Sequence, residues 1–254
     1  MRNIKLTLCY DGTDFHGWQR QPGLRTVQQV LEGALDQLSG GRTIATASSR
    51  TDAGVHALGQ VVHFLTVSRH SPATFVRALN ALMPPDIRVL EAEERPQAFH
   101  ATLDAKSKRY RYVIDNGPVA SPFELRYSWH VRPPLDEEAM NHAGRLLLGR
   151  HDFHSFETDW PNRTSSVRTI LDLAVERSSA FVTIEVEADG FLYNMVRSIA
   201  GTLMRVGAGK RPQAWVADVL AAENRVEAGP TAPPQGLFLV KVDYRCGSST
   251  SSPG

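Results

Sequence analysis

The sequence predicts an α+β protein built from two similar α/β halves. Three observations carry that prediction. Strand-like and helix-like segments follow the order strand, helix, strands, helix, strand, and a similar set then comes again. The strand-like segments alternate apolar and polar residues, and the helix-like ones carry a single apolar face. The chain has 254 residues, 42% hydrophobic and 22% charged, which suffices for one large domain or two smaller ones.

Taken in order, "IKLTLCY" (residues 4–10) alternates and reads as a strand. "DGTDFHGWQRQPG", rich in Gly and Asp, is a loop. Thr26-Val27-Gln28-Gln29 has capping-box form. It opens a helix whose apolar face is Val27, Val30, Leu31, Ala34, Leu35 and Leu38, and which Gly40-Gly41 ends. "TIATASS" and "GQVVHFLT" are strands on either side of an RTDAGVH loop. Ser71-Pro72 opens a helix that Pro84-Pro85 ends. "IRVLEAEER" and "RYRYVIDN" are strands. Leu135 to Leu148 is helical, with acidic residues in its first turn and Gly149 at its end. "AFVTIEVEAD" alternates cleanly as a strand. "NMVRSIAGTLMRVGAG" and "QAWVADVLAAEN" are helices, and "GLFLVKVDY" is the final strand.

The seam falls near Ala105. Residues 1–105 form an N-terminal half that carries the RTDAGVH loop, residues 106–246 form a second half, and 247–254 read as a disordered tail. Two such ferredoxin/RRM-like halves can join their strands into one extended, mostly antiparallel sheet. Helices are then expected on its outer side and a central cleft on the other.

Composition narrows the chemistry. The apolar runs fall far short of a membrane span, and Met1-Arg2-Asn3 leads directly into the first strand, so a cytoplasmic protein is expected. The two cysteines, Cys9 and Cys246, suggest neither a disulfide framework nor a CxxC site. HExxH and His-x-Glu spacings are absent, so no metal is expected. Net charge is +1, yet arginines gather locally, as in Lys106-Ser107-Lys108-Arg109-Tyr110-Arg111. Aromatic residues interleave these cations, the pattern that base stacking plus phosphate contact would use.

Asp52 sits in the loop between two strands. It is either a turn residue bonded to its own backbone or a reagent. Arg50 two residues earlier favours the second reading, because a carboxylate beside a guanidinium keeps a low pKa and stays ionised. Gly54 gives room for a close approach.

"RTDAGVHALGQVVHF" at 50–64 is similar to the signature of the tRNA pseudouridine synthase A family. Six further blocks occur in the family's order: "YDGTDFHGWQRQ" (10–21), "TVQQVLEGAL" (26–35), "RYRY" (109–112), "HDFHSF" (151–156), "FLYNMVRSIAGTLMRVGAG" (191–209) and "GLFLVKVDY" (236–244). The resemblance implies an isomerase that converts uridine to pseudouridine at nucleotides 38–40, in the anticodon stem-loop of tRNA. It implies no cofactor and a homodimer that holds one tRNA with both subunits.

Residue by residue, the resemblance makes Asp52 the nucleophile. Arg50 occupies the space of an extruded base or holds a phosphate. Tyr110 stacks on the target uracil, for which proton transfer is the lesser role at a phenol pKa near ~10. Arg197 pairs with Asp52, because a buried Arg needs a carboxylate. Leu237 packs on the base. Asp11, His16, Trp18 and Arg20 belong to a loop facing RNA. The family commonly has Gly before the signature Arg, whereas this chain has Ser48-Ser49, which would strain a turn needing positive φ. Two other readings of the same residues stand beside this one: a tRNA-binding module without catalysis, and a glycosidase-like hydrolase, which would need a second carboxylic acid.

Overall fold

The structure is a computed structural model that describes residues 1–158 and 165–244; Cys246 and the tail expected over 247–254 lie outside the described residues. Ten strands form one sheet among these residues. The N-terminal strands are β1 (Arg2–Tyr10), β2 (Thr46–Ala47), β3 (His56–Thr66) and β4 (Ile87–Arg95). Those after the seam are β5 (Ala105–Asp115), β6 (Trp129–His130), β7 (Gly149–Asp152), β8 (Val167–Ser178), β9 (Phe181–Ala188) and β10 (Leu237–Tyr244). The order across the sheet is β4-β1-β3-β10-β5-β9-β8-β7, with β2 on β3 and β6 on β5. Pairing is antiparallel except for β3 with β10 and β5 with β6.

The chain's last described strand therefore lies in the middle of the sheet. Leu239 of β10 pairs with Ala57 of β3 on one side and with Tyr110 of β5 on the other. Strand β5 begins at Ala105, and β10 lies between β3 and β5 in the sheet.

Helix α1 (Val27–Ser39) is capped as expected: the Thr26 hydroxyl accepts the Gln29 N–H at 3.4 Å, and Gly40 ends it with φ 68°. Its Val27, Leu31 and Leu35 are fully buried, each contributing roughly 1.5–3 kcal/mol of apolar burial. In α2 (Pro72–Leu82), Ser71 caps and Pro72 occupies the first turn. Helix α3 (Glu137–Arg145) is shorter than the predicted 135–148. Leu146, Leu147 and Leu148 cannot share one helical face; only Leu147 is buried, and the chain turns there toward β7 through Gly149 at φ 95°. Helices α4 (Met195–Gly207) and α5 (Trp215–Ala222) lie within their predicted segments.

Strand β8 was not anticipated. Its buried residues are Ile170, Leu173 and Val175, because a bulge between Ile170 and Asp172 breaks the two-residue period while Leu171 points to solvent.

The helices do not occupy the face opposite the cleft. Phe75 of α2 meets Phe64 of β3 edge-on at 5.4 Å, and Phe64 shares its strand face with Gln60, which reaches the cleft loop. Gly144 of α3 abuts Leu173, whose strand partner Val186 in turn pairs with Tyr110. Helices and cleft thus share one face of the sheet. The cleft lies between the α1–α2 pair and the α3–α4 pair, with α4 packed against the central strand β5 at its edge. The opposite face is partly covered by the 96–104 segment, whose Phe99 and Ala101 pack on Val61 and near Tyr244.

Candidate active site

The RTDAGVH loop crosses from β2 to β3 and is held from several sides. Its backbone receives the Trp18 N–H at the Thr51 carbonyl (2.9 Å), and the Thr51 hydroxyl bonds Tyr10 Oη (2.8 Å). Gln60 of β3 donates to the Ser49 carbonyl (2.7 Å), and Lys108 of β5 donates from Nζ to the Ser48 carbonyl (2.6 Å). His56 closes the loop from behind. Its Nδ1 accepts the Gly12 N–H at 3.0 Å, so its Nε2–H faces the carbonyls of Arg126 (3.0 Å) and Gln235 (3.2 Å), and its ring stacks on Phe238 at 4.7 Å. Gly54 takes φ 77°, a turn that lets the loop double back beside Pro234.

This bracing puts Asp52 in the wall of a cleft of about 990 Å³. Arg197, from the first turn of α4, reaches it from the other half: Nη1 lies 3.7 Å from Asp52 Oδ2. The guanidinium is itself fixed, donating from Nε to the Ala232 carbonyl and from Nη1 to Asn194 Oδ1, both at 2.7 Å. Asn194 sits just before α4 with φ 62°, an uncommon conformation for a residue with a side chain. Tyr110 and Leu237 line the same cleft, each 6% exposed, and Phe191 meets the Tyr110 ring edge-on at 4.9 Å. Six of the expected residues, Asp52, Arg50, Arg197, Tyr110, Leu237 and Trp18, therefore line one cleft.

The electrostatics differ from the sequence expectation. The carboxyl of Asp52 is not held low by Arg50. Burial pushes its pKa above the ordinary carboxylate value, and Arg197 works against that shift in favour of the ion. Arg50 is exposed on the cleft and has no ion pair or hydrogen bond among the described residues. Burial raises the Tyr110 phenol well above its usual range, so its ring offers a surface and not a base.

The remaining expected residues are placed as follows. Trp18 lines the cleft but is only 2% exposed, so most of its ring is packed in the core. Arg20 is ion-paired to the buried Glu32. Asp11 accepts from Thr13 and from Tyr127 Oη at 2.8 Å, and braces the loop near His56. His16 of that segment also lines the cleft, and it is exposed. Arg109 and Arg111 project from the far face into ion pairs with Glu185, Glu187 and Asp172, away from the cleft. Ser48 and Ser49 both have ordinary negative φ, so the departure from Gly strains nothing.

Sequence reading missed Lys108, Gln60, His56, Asn194 and Phe191 as parts of this site. Lys108 carried a usable signal: it stands two residues before Tyr110 and so shares its face of β5. Three cations (Arg50, Lys108, Arg197) line the cleft against one carboxylate (Asp52), a local charge of +2 in a chain whose total is +1. Such a basin suits a polyanion.

Comparison with known proteins agrees with this chemistry. Residues 8–104 and 143–245 match the family described as tRNA pseudouridine synthase. The chain is 45% identical over 244 residues to tRNA pseudouridine synthase A of Thermoanaerobacter sp. (strain X514), covering 96% of this chain and all of that one. It is 46% identical over 255 residues to the protein of that name from Myxococcus xanthus, covering 100% and 96% of the two chains. Against that of Halalkalibacterium halodurans the identity is 49% over 239 residues, covering 94% and 91%.

Proposed function

Since the chain belongs to the tRNA pseudouridine synthase family, we propose that its cleft takes an extruded uridine of the tRNA anticodon stem-loop and that Asp52 is the nucleophile. The positions are nucleotides 38–40, by resemblance. The observation that carries this reading is the Asp52–Arg197 pair at 3.7 Å, one partner from each half, in a cleft wide enough for a nucleotide.

The chemistry follows from these groups. Flipping a stacked uridine costs a few kcal/mol, which the apolar walls of Tyr110 and Leu237 and the positive basin offset. Arg50, free at the rim, fills the vacated stack or grips a phosphate. The Asp52 carboxylate, kept ionised by Arg197 against its burial, attacks C6 of the uracil or C1′ of the ribose. The N1–C1′ bond breaks, the uracil turns, the C5–C1′ bond forms, the bond to Asp52 breaks to return its carboxylate, and the C5 proton leaves to solvent. No second carboxylic acid lines the cleft among the described residues, which disfavours glycoside hydrolysis. No helix among them is long and apolar enough to cross a membrane. A cytoplasmic homodimer acting on tRNA completes the proposal.

Tritium release from tRNA labelled as [5-³H]uridine tests it. Asp52→Asn should release nothing above background while still binding tRNA. Near wild-type release by that variant would overturn the reading, and pseudouridine mapped only outside nucleotides 38–40 would overturn the position assigned.

A further inference from the structure

Among the described residues, Lys108 is a cation without an anion. It leaves β5 on the Tyr110 face, beside the uncharged strand neighbours Ala188 and Val242, and lines the cleft. Its ammonium has three N–H groups, and the one hydrogen bond it makes among the described residues goes to a neutral acceptor, the Ser48 carbonyl at 2.6 Å. No carboxylate stands within ion-pair distance of it among the described residues. The other charged groups of the cleft are accounted for differently: Arg197 is paired with Asp52, and Arg50 reaches solvent.

A half-buried ammonium held against one carbonyl is poorly solvated, and burial lowers its pKa to about 8. A structural lysine of this kind would be more stable with a carboxylate beside it. An open cleft can instead supply the missing charge from its ligand.

We propose that Lys108 is a phosphate-binding residue, whose ammonium takes a backbone phosphate of the RNA substrate while it also holds the Ser48 carbonyl. This deepens the function proposed above and rests on it. The arrangement gives the lysine a double duty. One N–H fixes the strand end that leads to Asp52, and the remaining N–H groups fix the substrate, so a phosphate is located relative to Asp52 through Lys108, the Ser48 carbonyl and the loop backbone. The phosphate carries no sequence information, and the contact serves register alone.

The test measures tRNA affinity across a salt series for wild type, Lys108→Met, Lys108→Gln and Lys108→Arg, with melting temperature and tritium release recorded for each. Losing one phosphate contact should lower the slope of log K against log salt by about 0.7–0.9 in the Met and Gln variants, and weaken binding several-fold at low salt. Lys108→Arg should keep the slope. An unchanged slope in a folded Met or Gln variant would overturn the proposal and leave Lys108 as a brace for the loop.

Should neither neutral variant fold, pH resolves the matter on wild-type protein. Phosphate contact raises the lysine pKa, so affinity should fall as pH rises above about 8, and Lys108→Arg should not show that fall. Asp52, Arg50, Arg197, Tyr110, Tyr193 and His16 also face the cleft, but they are common to both proteins and cancel in the comparison. Equal pH dependence of the two would overturn it. A wild type that makes pseudouridine yet gives either overturning result fails this inference alone; one that makes none fails the parent reading.

Discussion

At the scale of single residues, the site is a contest between burial and one guanidinium. Burial raises the pKa of Asp52 and Arg197 opposes it. Arg197→Met therefore raises it further, and, with Asp52 as the proposed nucleophile, the acid limb of kcat/KM should move to higher pH because that carboxylate protonates earlier. Turnover near neutral pH should fall by at least about tenfold, the effect of roughly 1.4 kcal/mol. An acid limb that stays in place would remove Arg197 from this role. His56 is the second such residue. Burial lowers its imidazole pKa below the ordinary 6.5, against the raising influence of Asp11. The folded state thus binds the proton less readily than the unfolded one. Its contribution to stability is complete above pH 6.5 and is lost as pH falls below that value. Urea unfolding at pH 7.5 and 5.5 should show a smaller acid loss in His56→Asn than in wild type. Replacing His56 by Ala should cost roughly 1–3 kcal/mol at pH 7.5, because the Gly12 N–H loses its acceptor. The sequence made Asp52, Arg197, Tyr110 and Leu237 legible through family blocks. It could not reveal that Trp18 is mostly packed in the core or that Arg20 is tied to the buried Glu32, since a loop's composition does not say which contacts its own fold will make.

At the scale of elements, position depends on close approach. In α4, a Cβ on Gly201 would lie 1.7 Å from the Pro230 carbonyl oxygen. The helix and the 230 segment touch there backbone to backbone, and the next residues of that segment accept from Arg197 through Ala232. Gly201→Ala should therefore destabilise by roughly 1–3 kcal/mol and lower turnover by displacing Arg197. Gly33 in α1 is the contrasting case: a Cβ there meets nothing within 4 Å. Gly33→Ala should stabilise by about 0.5–1 kcal/mol with activity unchanged, and thermal melts of the two variants should move in opposite directions. Element type and order were readable where the period was unbroken, as in α1 and β9. The bulge at Ile170–Asp172 hid β8, and three consecutive leucines stretched the predicted α3 past its true end.

At the scale of the whole molecule, β10 joins the parts. Its Leu239, fully buried, contacts strands from both sides of the seam. The two sides should consequently unfold together. Single-tryptophan variants that retain Trp18 in the first part or Trp129 in the second should report the same urea midpoint. Two separated midpoints would contradict that. Leu239→Ala should lower both by a common amount, equivalent to about 2–5 kcal/mol. Which face of the sheet carries the cleft was not legible, because alternation along a strand says that one face is apolar and not how helices divide it. The place of β10 also sets the timing of synthesis. On the ribosome the sheet must wait, with the flanks of β3 and β5 unmatched, until the strand that fills the gap has been translated. A nascent chain stalled short of residue 237 therefore leaves the edges of β3 and β5 exposed as an open template for self-association.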